Sequence, residues 1–211
     1  MMLKNDFDVA ILADGLFPQR KEIQDLITRI PLVVCSDGAS QKLVDFGRIP
    51  DFIVGDLDST PIELKESYPE RMIHMPDQNS NDLTKSVHFC LSKGLRKIII
   101  LGATGLREDH TLGNISLLQA YAPLVDEVVM ASDYGVFTPI TQTTTFESYV
   151  SQQVSIFSLT PESTLSTIGL KYSIENRSLL SWWEGTLNES LGDGFTIQLH
   201  TDGRFIVYRA F

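Results

Sequence analysis

Apolar residues repeat with two different periods along this chain, and the change from one to the other near residue 133 limits the folds open to it. Upstream, short β-rich runs occur at Asp8–Leu12, Leu32–Cys35, Phe52–Val54, Lys97–Leu101 and Glu127–Met130. Helix-period stripes lie between most of them: Ile23, Leu26, Ile27 and Ile30 form one, and Leu83, Val87, Cys90 and Leu91 another, stopped by Gly94. A third runs from His110 to Tyr121 and ends before Pro123. Strands alternating with helices predict right-handed crossovers and a mostly parallel sheet. Downstream the helical period disappears. Phe195, Ile197 and Leu199, then Asp202-Gly203, then Phe205 and Val207 read as a β-hairpin. Thr141–Thr145 reads as an edge strand or a loop. The expected fold class is therefore α/β: an N-terminal domain over residues 1–133 with a mostly parallel sheet and flanking helices, followed by a smaller all-β, sandwich-like domain over 134–211.

Charge narrows the partners. Seventeen basic residues against 27 acidic ones leave a formal charge of −10. That disfavours non-specific nucleic-acid binding and docking on anionic lipid, both of which want a basic surface. Phosphate ligands stay open, because a divalent cation can bridge carboxylates and phosphate oxygens. Cys35 and Cys90 sit in apolar or helix-like runs and read as buried thiols. Asp6 and Asp8 interrupt the N-terminal stretch, which does not read as a signal peptide, and no apolar run is long enough for a membrane span. The sequons at Asn114, Asn176 and Asn188 then read as chance matches. The expectation is a soluble cytoplasmic protein.

In an open parallel sheet, ligands bind beyond the carboxyl ends of the strands. Four strand ends carry small residues and carboxylates: Ala13-Asp14-Gly15, Ser36-Asp37-Gly38-Ala39, Gly55-Asp56-Leu57-Asp58-Ser59, and Gly102-Ala103-Thr104-Gly105 running into Leu106–His110. Glycine lets the backbone approach a ligand, and a following helix N-terminus offers free N–H groups to an anion. Each feature alone has a plain structural reading. Asp37 suits a turn or helix cap, Asp82 and Lys85 suit a helix-surface pair, and Arg107 with Asp109 suits a local pair plus cap. His110 reads as a hydrogen-bonded structural histidine. The conjunction on one sheet edge is what suggests a Mg²⁺–phosphate site. The P-loop, G-x-G-x-x-G, C-x-x-C, H-E-x-x-H and G-x-S-x-G motifs are absent, which removes the enzyme classes built on them.

In this order the segments resemble the thiamine pyrophosphokinase family. The matching stretches are Ser36–Ala39 (SDGA), Pro50–Ser59 (PDFIVGDLDS), Asp77–Ser86 (DQNSNDLTKS) and Gly102–Ile115 (GATGLREDHTLGNI), with fainter matches at Ile168–Tyr172 and Gly185–Glu189. The resemblance implies transfer of a pyrophosphoryl group from ATP to the thiamine hydroxyl, with Mg²⁺, giving thiamine diphosphate and AMP. It implies a homodimer, with thiamine between the α/β domain of one subunit and the β domain of the other. It implies that Asp56, Asp58 and Asp82 hold the metal, that Lys85 and Arg107 hold phosphates, and that Asp109 completes the acidic cluster near the thiamine hydroxyl. Asp37, Gly38, Asn81, Gly102, Thr104, Gly105 and Asn114 would face the nucleotide, and Tyr172 and Asn188 the thiamine. The chain departs from the family pattern at Asn81, Leu106 and Leu187, where threonine, glycine and serine are usual.

These residue types suit the chemistry. Such transfer depends mainly on positioning and charge stabilisation, supplied by Lys85 as a point charge and Arg107 as a planar fork. Asp82 and Asp109 are both candidates for accepting the alcohol proton. Cationic, aromatic thiamine would stack on Tyr172, Trp182 or Trp183, with Tyr172 the first choice. Two other readings stand beside this one: a catalytically silent nucleotide- or thiamine-binding module, and a pyrophosphokinase or kinase for another small alcohol.

Overall fold

The first half of the chain builds a parallel sheet whose strands are buried on both faces. The computed structural model describes residues 3, 6–77 and 79–211; Met1, Met2, Lys4 and Asn5 of the N-terminal stretch, and Gln78 of the Asp77–Ser86 motif, lie outside the described residues. These divide in sequence between Asp133 and Tyr134 into two compact units, with Leu3 grouped with the second.

The first unit contains β1 (Val9–Leu12), α1 (Lys21–Arg29), β2 (Leu32–Ser36), α2 (Ala39–Asp45), β3 (Phe52–Gly55), α3 (Ile62–Ser67), β4 (Met72–His74), α4 (Asp82–Ser92), β5 (Lys97–Leu101), α5 (Glu108–Tyr121) and β6 (Glu127–Ala131). Its strand order is β6-β5-β1-β2-β3-β4, and neighbouring strands pair in parallel. Every residue of β1 is buried, as are Ile98–Leu101 of β5. Successive side chains point to opposite faces of a sheet, so this pattern requires cover on both sides. α1 shows how that cover is encoded: Ile23, Leu26 and Ile27 are its buried stripe. β4, at the sheet edge with Met72 and Ile73 half-buried and His74 exposed, is too short to show a periodic signal.

The chain order reverses at β1, which lies between β2 and β5. There the two strand-end loops are joined by backbone hydrogen bonds: Ala13 N to Leu101 O (2.9 Å), Gly15 N to Gly102 O (2.6 Å) and Leu16 N to Thr104 O (2.8 Å). A Cβ at Gly15 would stand 2.4 Å from the Gly102 carbonyl oxygen, inside any allowed contact. Gly102 adopts φ +63°, and a Cβ there would stand 2.7 Å from the Ala13 carbonyl oxygen. Glycine is required on both sides of the seam.

The second unit contains β7 (Gly135–Ile140), β8 (Thr144–Glu147), β9 (Gln153–Ser158), β10 (Thr164–Ile168), β11 (Arg177–Ser178), β12 (Asn188–Glu189), β13 (Gly194–Leu199) and β14 (Phe205–Ala210). Within it, β12-β9-β14-β7 and β11-β10-β13-β8 run antiparallel and pack as a sandwich over Phe146, Ile156, Leu165, Ile197, Phe205 and Val207. The segment Thr141–Thr145 leads into β8, an edge strand. The expected hairpin does not form. β13 pairs with β10 and β8, whereas β14 pairs with β7 and β9. Phe195, Ile197, Phe205 and Val207 all enter one core, and they do so from opposing sheets. The intervening turn binds elsewhere: Ser163 Oγ donates to Asp202 O at 2.6 Å, and Arg204 N to Thr160 Oγ1 at 2.9 Å.

The seam makes a stability prediction. Gly15→Ala will lower unfolding free energy by about 2 kcal/mol or more, because the clashing atoms are backbone. Gly113→Ala, in α5 with open space around its Cβ position, will raise it by up to about 1 kcal/mol. Urea denaturation of both variants measures the contrast.

Candidate active site

A hollow of about 440 Å³ opens at the carboxyl edge of the parallel sheet. Its lining comes from the loop after β1 (Ala13, Asp14, Gly15), the end of β2 (Ser36, Asp37, Gly38), Ser59 beyond β3, the first turn of α4 (Asn81, Asp82, Leu83), the loop after β5 (Ala103, Thr104, Leu106, Arg107) and the start of α5 (His110, Thr111, Asn114). Of the residues expected from sequence, Asp37, Gly38, Asn81, Asp82, Thr104, Arg107 and Asn114 therefore share one cavity. Gly102 and Gly105 shape it from behind, since both adopt positive φ in the loop after β5.

Several of these side chains build the site's walls. Asp37 is buried, and its carboxylate accepts hydrogen bonds from Ser59 N (3.1 Å) and Thr60 Oγ1. It thereby staples the loop after β3 to the end of β2. Asn81 caps α4, accepting from Thr84 N at 2.9 Å. Threonine and asparagine are both good caps, so the family's usual threonine is replaced here without loss of that function. Asn114 donates to Ala103 O at 2.9 Å and ties α5 to the loop after β5. Ser36 and Ser86 share a buried hydroxyl contact of 3.0 Å that anchors α4 beside β2. Leu106, the second departure, lines the hollow and is exposed.

The charged groups fall into pairs. Lys85 is only 3% exposed, and its Nζ lies 3.1 Å from Asp82 Oδ1. A buried ammonium is costly without a counter-charge, so Asp82 is held at the hollow by the ion beneath it. Asp77 lies just upstream; the Ser80 hydroxyl and the Asn79 N–H stabilise its carboxylate, and the Lys85 charge adds to this, lowering its pKa. Arg107 grips Asp109 in a two-point pair, Nε to Oδ1 at 3.1 Å and Nη2 to Oδ2 at 2.6 Å. With the His110 N–H also donating, the Asp109 pKa falls to about 2. A carboxylate so stabilised is a weak proton acceptor near neutral pH.

Asp56 and Asp58 flank Leu57, a residue at φ +67°, and Asp58 N lies 3.3 Å from Asp56 Oδ1. A Cβ at Gly55 would lie 3.4 Å from Asp82 Oδ1, so the Asp82 carboxylate abuts the base of the Asp56–Asp58 turn. No three His, Cys, Asp or Glu side chains among the described residues form a closed metal cage. Mg²⁺ does not need one: it takes one or two carboxylates and completes its shell with waters and substrate phosphates. Asp82 at the hollow, with one carboxylate of the adjoining Asp56–Asp58 turn, offers hard oxygen donors of that kind; Asp56 and Asp58 themselves stand outside the lining.

In the second unit, Tyr172 is 59% exposed, with Lys171 Nζ 5.5 Å from its ring centre. The buried Asn188 side chain accepts from Tyr172 N (3.0 Å) and donates to Tyr172 O (2.7 Å). Asn188 thus fixes the backbone that carries the tyrosine. Trp182 is anchored through Nε1 to Ser158 O at 3.0 Å and packs edge-on against Phe157, whereas Trp183 is 75% exposed. Leu187, the third departure, is exposed at φ +59°.

Residues 23–129 match the family model for the thiamin pyrophosphokinase catalytic domain, and residues 135–208 the model for its substrate-binding domain. The chain belongs to the thiamin pyrophosphokinase family. It is 28% identical over 160 residues to thiamin pyrophosphokinase 1 of Caenorhabditis elegans, covering 69% of this chain and 65% of that protein's length. It is 26% identical over 182 residues to thiamine pyrophosphokinase 1 of rice (Oryza sativa subsp. japonica), covering 72% and 68%. In fold it resembles the crystal structure of thiamine pyrophosphokinase from Bacillus subtilis, with a TM-score of 0.80, 24% identity and coverage of 96% and 98%. The yeast thiamin pyrophosphokinase structure gives 0.78 at 19% identity, covering 100% and 88%. The hollow lies almost wholly within the segment matched to the family's catalytic domain.

Residues missed from sequence include Lys42, which donates to Asp14 Oδ1 at 2.6 Å, and Asp14 itself, noted at a strand end without a role. Lys42 belongs to no motif; only the fold brings α2 to the loop after β1. The Arg107–Asp109 pair gives a titration prediction. By NMR the Asp109 carboxyl will titrate near 2 and will return toward 3.8 in Arg107→Gln. Because the folded value is depressed, the pair's contribution is complete above the unfolded pKa and is lost as pH falls toward 2.

Proposed function

We propose that this chain acts as a thiamine pyrophosphokinase, moving the terminal pyrophosphoryl group of ATP onto the hydroxyl of thiamine to give thiamine diphosphate and AMP. The observation that carries the reading is the pair of consecutive family matches, catalytic then substrate-binding, with most of the hollow's lining, including Asp37, Asp82 and Arg107, in the first. The first unit is the ATP-binding domain. The second supplies the thiamine surface, with Tyr172 carried on backbone that buried Asn188 fixes, and the dimer contact. The working form is a cytoplasmic homodimer; no helix among the described residues is long and apolar enough to cross a membrane.

Arg107 and the open first turns of α4 and α5 hold the phosphates. Asp56, Asp58 and Asp82 would hold Mg²⁺, which when bound neutralises phosphate charge. As the oxygen of the thiamine hydroxyl attacks the β-phosphorus and the bond to the α-phosphate oxygen breaks, the hydroxyl proton passes to a carboxylate, Asp82 or Asp109. Asp109 positions Arg107. Tyr172 presents an aromatic face to the cationic vitamin.

Incubation with ATP, Mg²⁺ and thiamine tests this. AMP and thiamine diphosphate should accumulate in equal amounts. Nucleotide binding without AMP formation would overturn the enzyme reading, and preference for a different alcohol would overturn the substrate. Asp58→Asn, at an exposed position, should lower turnover ~10²–10³-fold while leaving the unfolding midpoint nearly unchanged.

A further inference from the structure

Lys42 reaches from α2 to the loop after β1, where its donors are all engaged. Its Nζ donates to Asp14 Oδ1 (2.6 Å), Asp14 O (2.9 Å) and Gly15 O (2.8 Å). An ammonium has three N–H donors, so all of them are spent on the loop after β1. The consequence falls on Asp14. One carboxylate oxygen and the backbone carbonyl are pinned by the same cation, and the loop is zipped to the loop after β5. The other oxygen, Oδ2, has no hydrogen-bond partner among the described residues. It lies 2.5 Å from where a Cβ at Gly38 would stand, so a side chain at 38 would displace it from this position. Asp14 and Gly38 both line the hollow.

The hollow is therefore polar in a directional sense. Arg107 lines one part of it, with Nε and Nη2 held by Asp109 and Nη1 outside that pair, beside first turns of α4 and α5 that carry Asp82, Glu108 and Asp109. The Asp14 carboxylate, a fixed acceptor, lines another. The Asp14–Lys42 pair is net neutral and all three Lys42 donors are engaged, so it offers a phosphate no free positive charge, only the unbonded Asp14 oxygen. A neutral group rich in O–H donors is attracted. In a nucleoside triphosphate that group is the ribose diol. Resting on the reading that this site takes ATP, we infer that Asp14, locked by Lys42, recognises the ribose hydroxyls of the nucleotide and so orients its triphosphate toward α4 and α5. Asp14 is then a specificity-determining residue and Lys42 its positioning residue.

The test compares equilibrium binding of ATP and 2′,3′-dideoxy-ATP to the full chain by calorimetry, alongside AMP production with thiamine. The wild-type protein should bind ATP at least roughly tenfold more tightly than the dideoxy nucleotide, the value of a hydrogen bond to a charged acceptor. In Asp14→Ala that ratio should collapse toward one, chiefly through weaker ATP binding. In Lys42→Met, which leaves the carboxylate but frees it, the ratio should narrow to an intermediate value. A wild-type ratio near one overturns the inference without any variant, as does Asp14→Ala keeping the wild-type ratio. Should Asp14→Ala fail to fold, an unchanged ratio in Lys42→Met would overturn the positioning role, and the wild-type ratio still decides the ribose contact. ATP binding without AMP formation would refute the thiamine reading while leaving the ribose test intact; no ATP binding at all would refute both.

Discussion

The backbone seam between the loops after β1 and β5 is the constraint on which the site depends. Parallel strands deliver their ends to one edge of a sheet, but they do not specify where the loops go afterwards. Here Gly15 and Leu16 donate to the carbonyls of Gly102 and Thr104, and glycines on both sides permit the approach. That contact closes the gap beneath the reversal in strand order. It turns separate strand ends into one wall. Gly38 against Asp14, and Gly55 against Asp37 and Asp82, extend the same principle outward: a missing Cβ admits a neighbouring carboxylate.

On that frame the charges are arranged in supporting pairs. Asp37 spends its carboxylate on Ser59 and Thr60, Lys85 serves Asp82, Lys42 serves Asp14, and Asp109 serves Arg107. The pattern separates groups that line the hollow from groups that hold them. Arg107 and Asp82 line it, while buried Lys85 and exposed Asp109 are outside the lining. Preorganised charge of this kind avoids reorganisation during reaction, which is where electrostatic catalysis gains most of its effect.

Much of this was legible in the sequence because local rules and tertiary need agreed. β5 begins and ends where its apolar run does, and α4 starts after Asn81, a strong cap. The strand ends marked the cavity. What stayed hidden depended on contacts between segments far apart. Lys42 carries no motif, so its grip on Asp14 needs the packed fold. From its own residues Asp37 reads as a turn or helix cap; only the packed fold shows its carboxylate bonded instead to Ser59 and Thr60 of the loop after β3. The Phe195–Val207 stretch misled because alternation reports which face is buried, not which sheet a strand joins. Two strands with inward faces satisfy the pattern from opposite sides of a sandwich as well as from one hairpin.

The central claim is that a nucleotide occupies the hollow bounded by the seam, with its phosphates at the first turns of α4 and α5. Amide chemical-shift mapping of the full chain, titrated with a non-hydrolysable ATP analogue and Mg²⁺, tests it most directly. The account predicts the largest shifts at Gly15, Gly38, the residues opening α4 and those from Thr104 to Thr111. Shifts concentrated instead in the β-sandwich, or none at the seam, would contradict it.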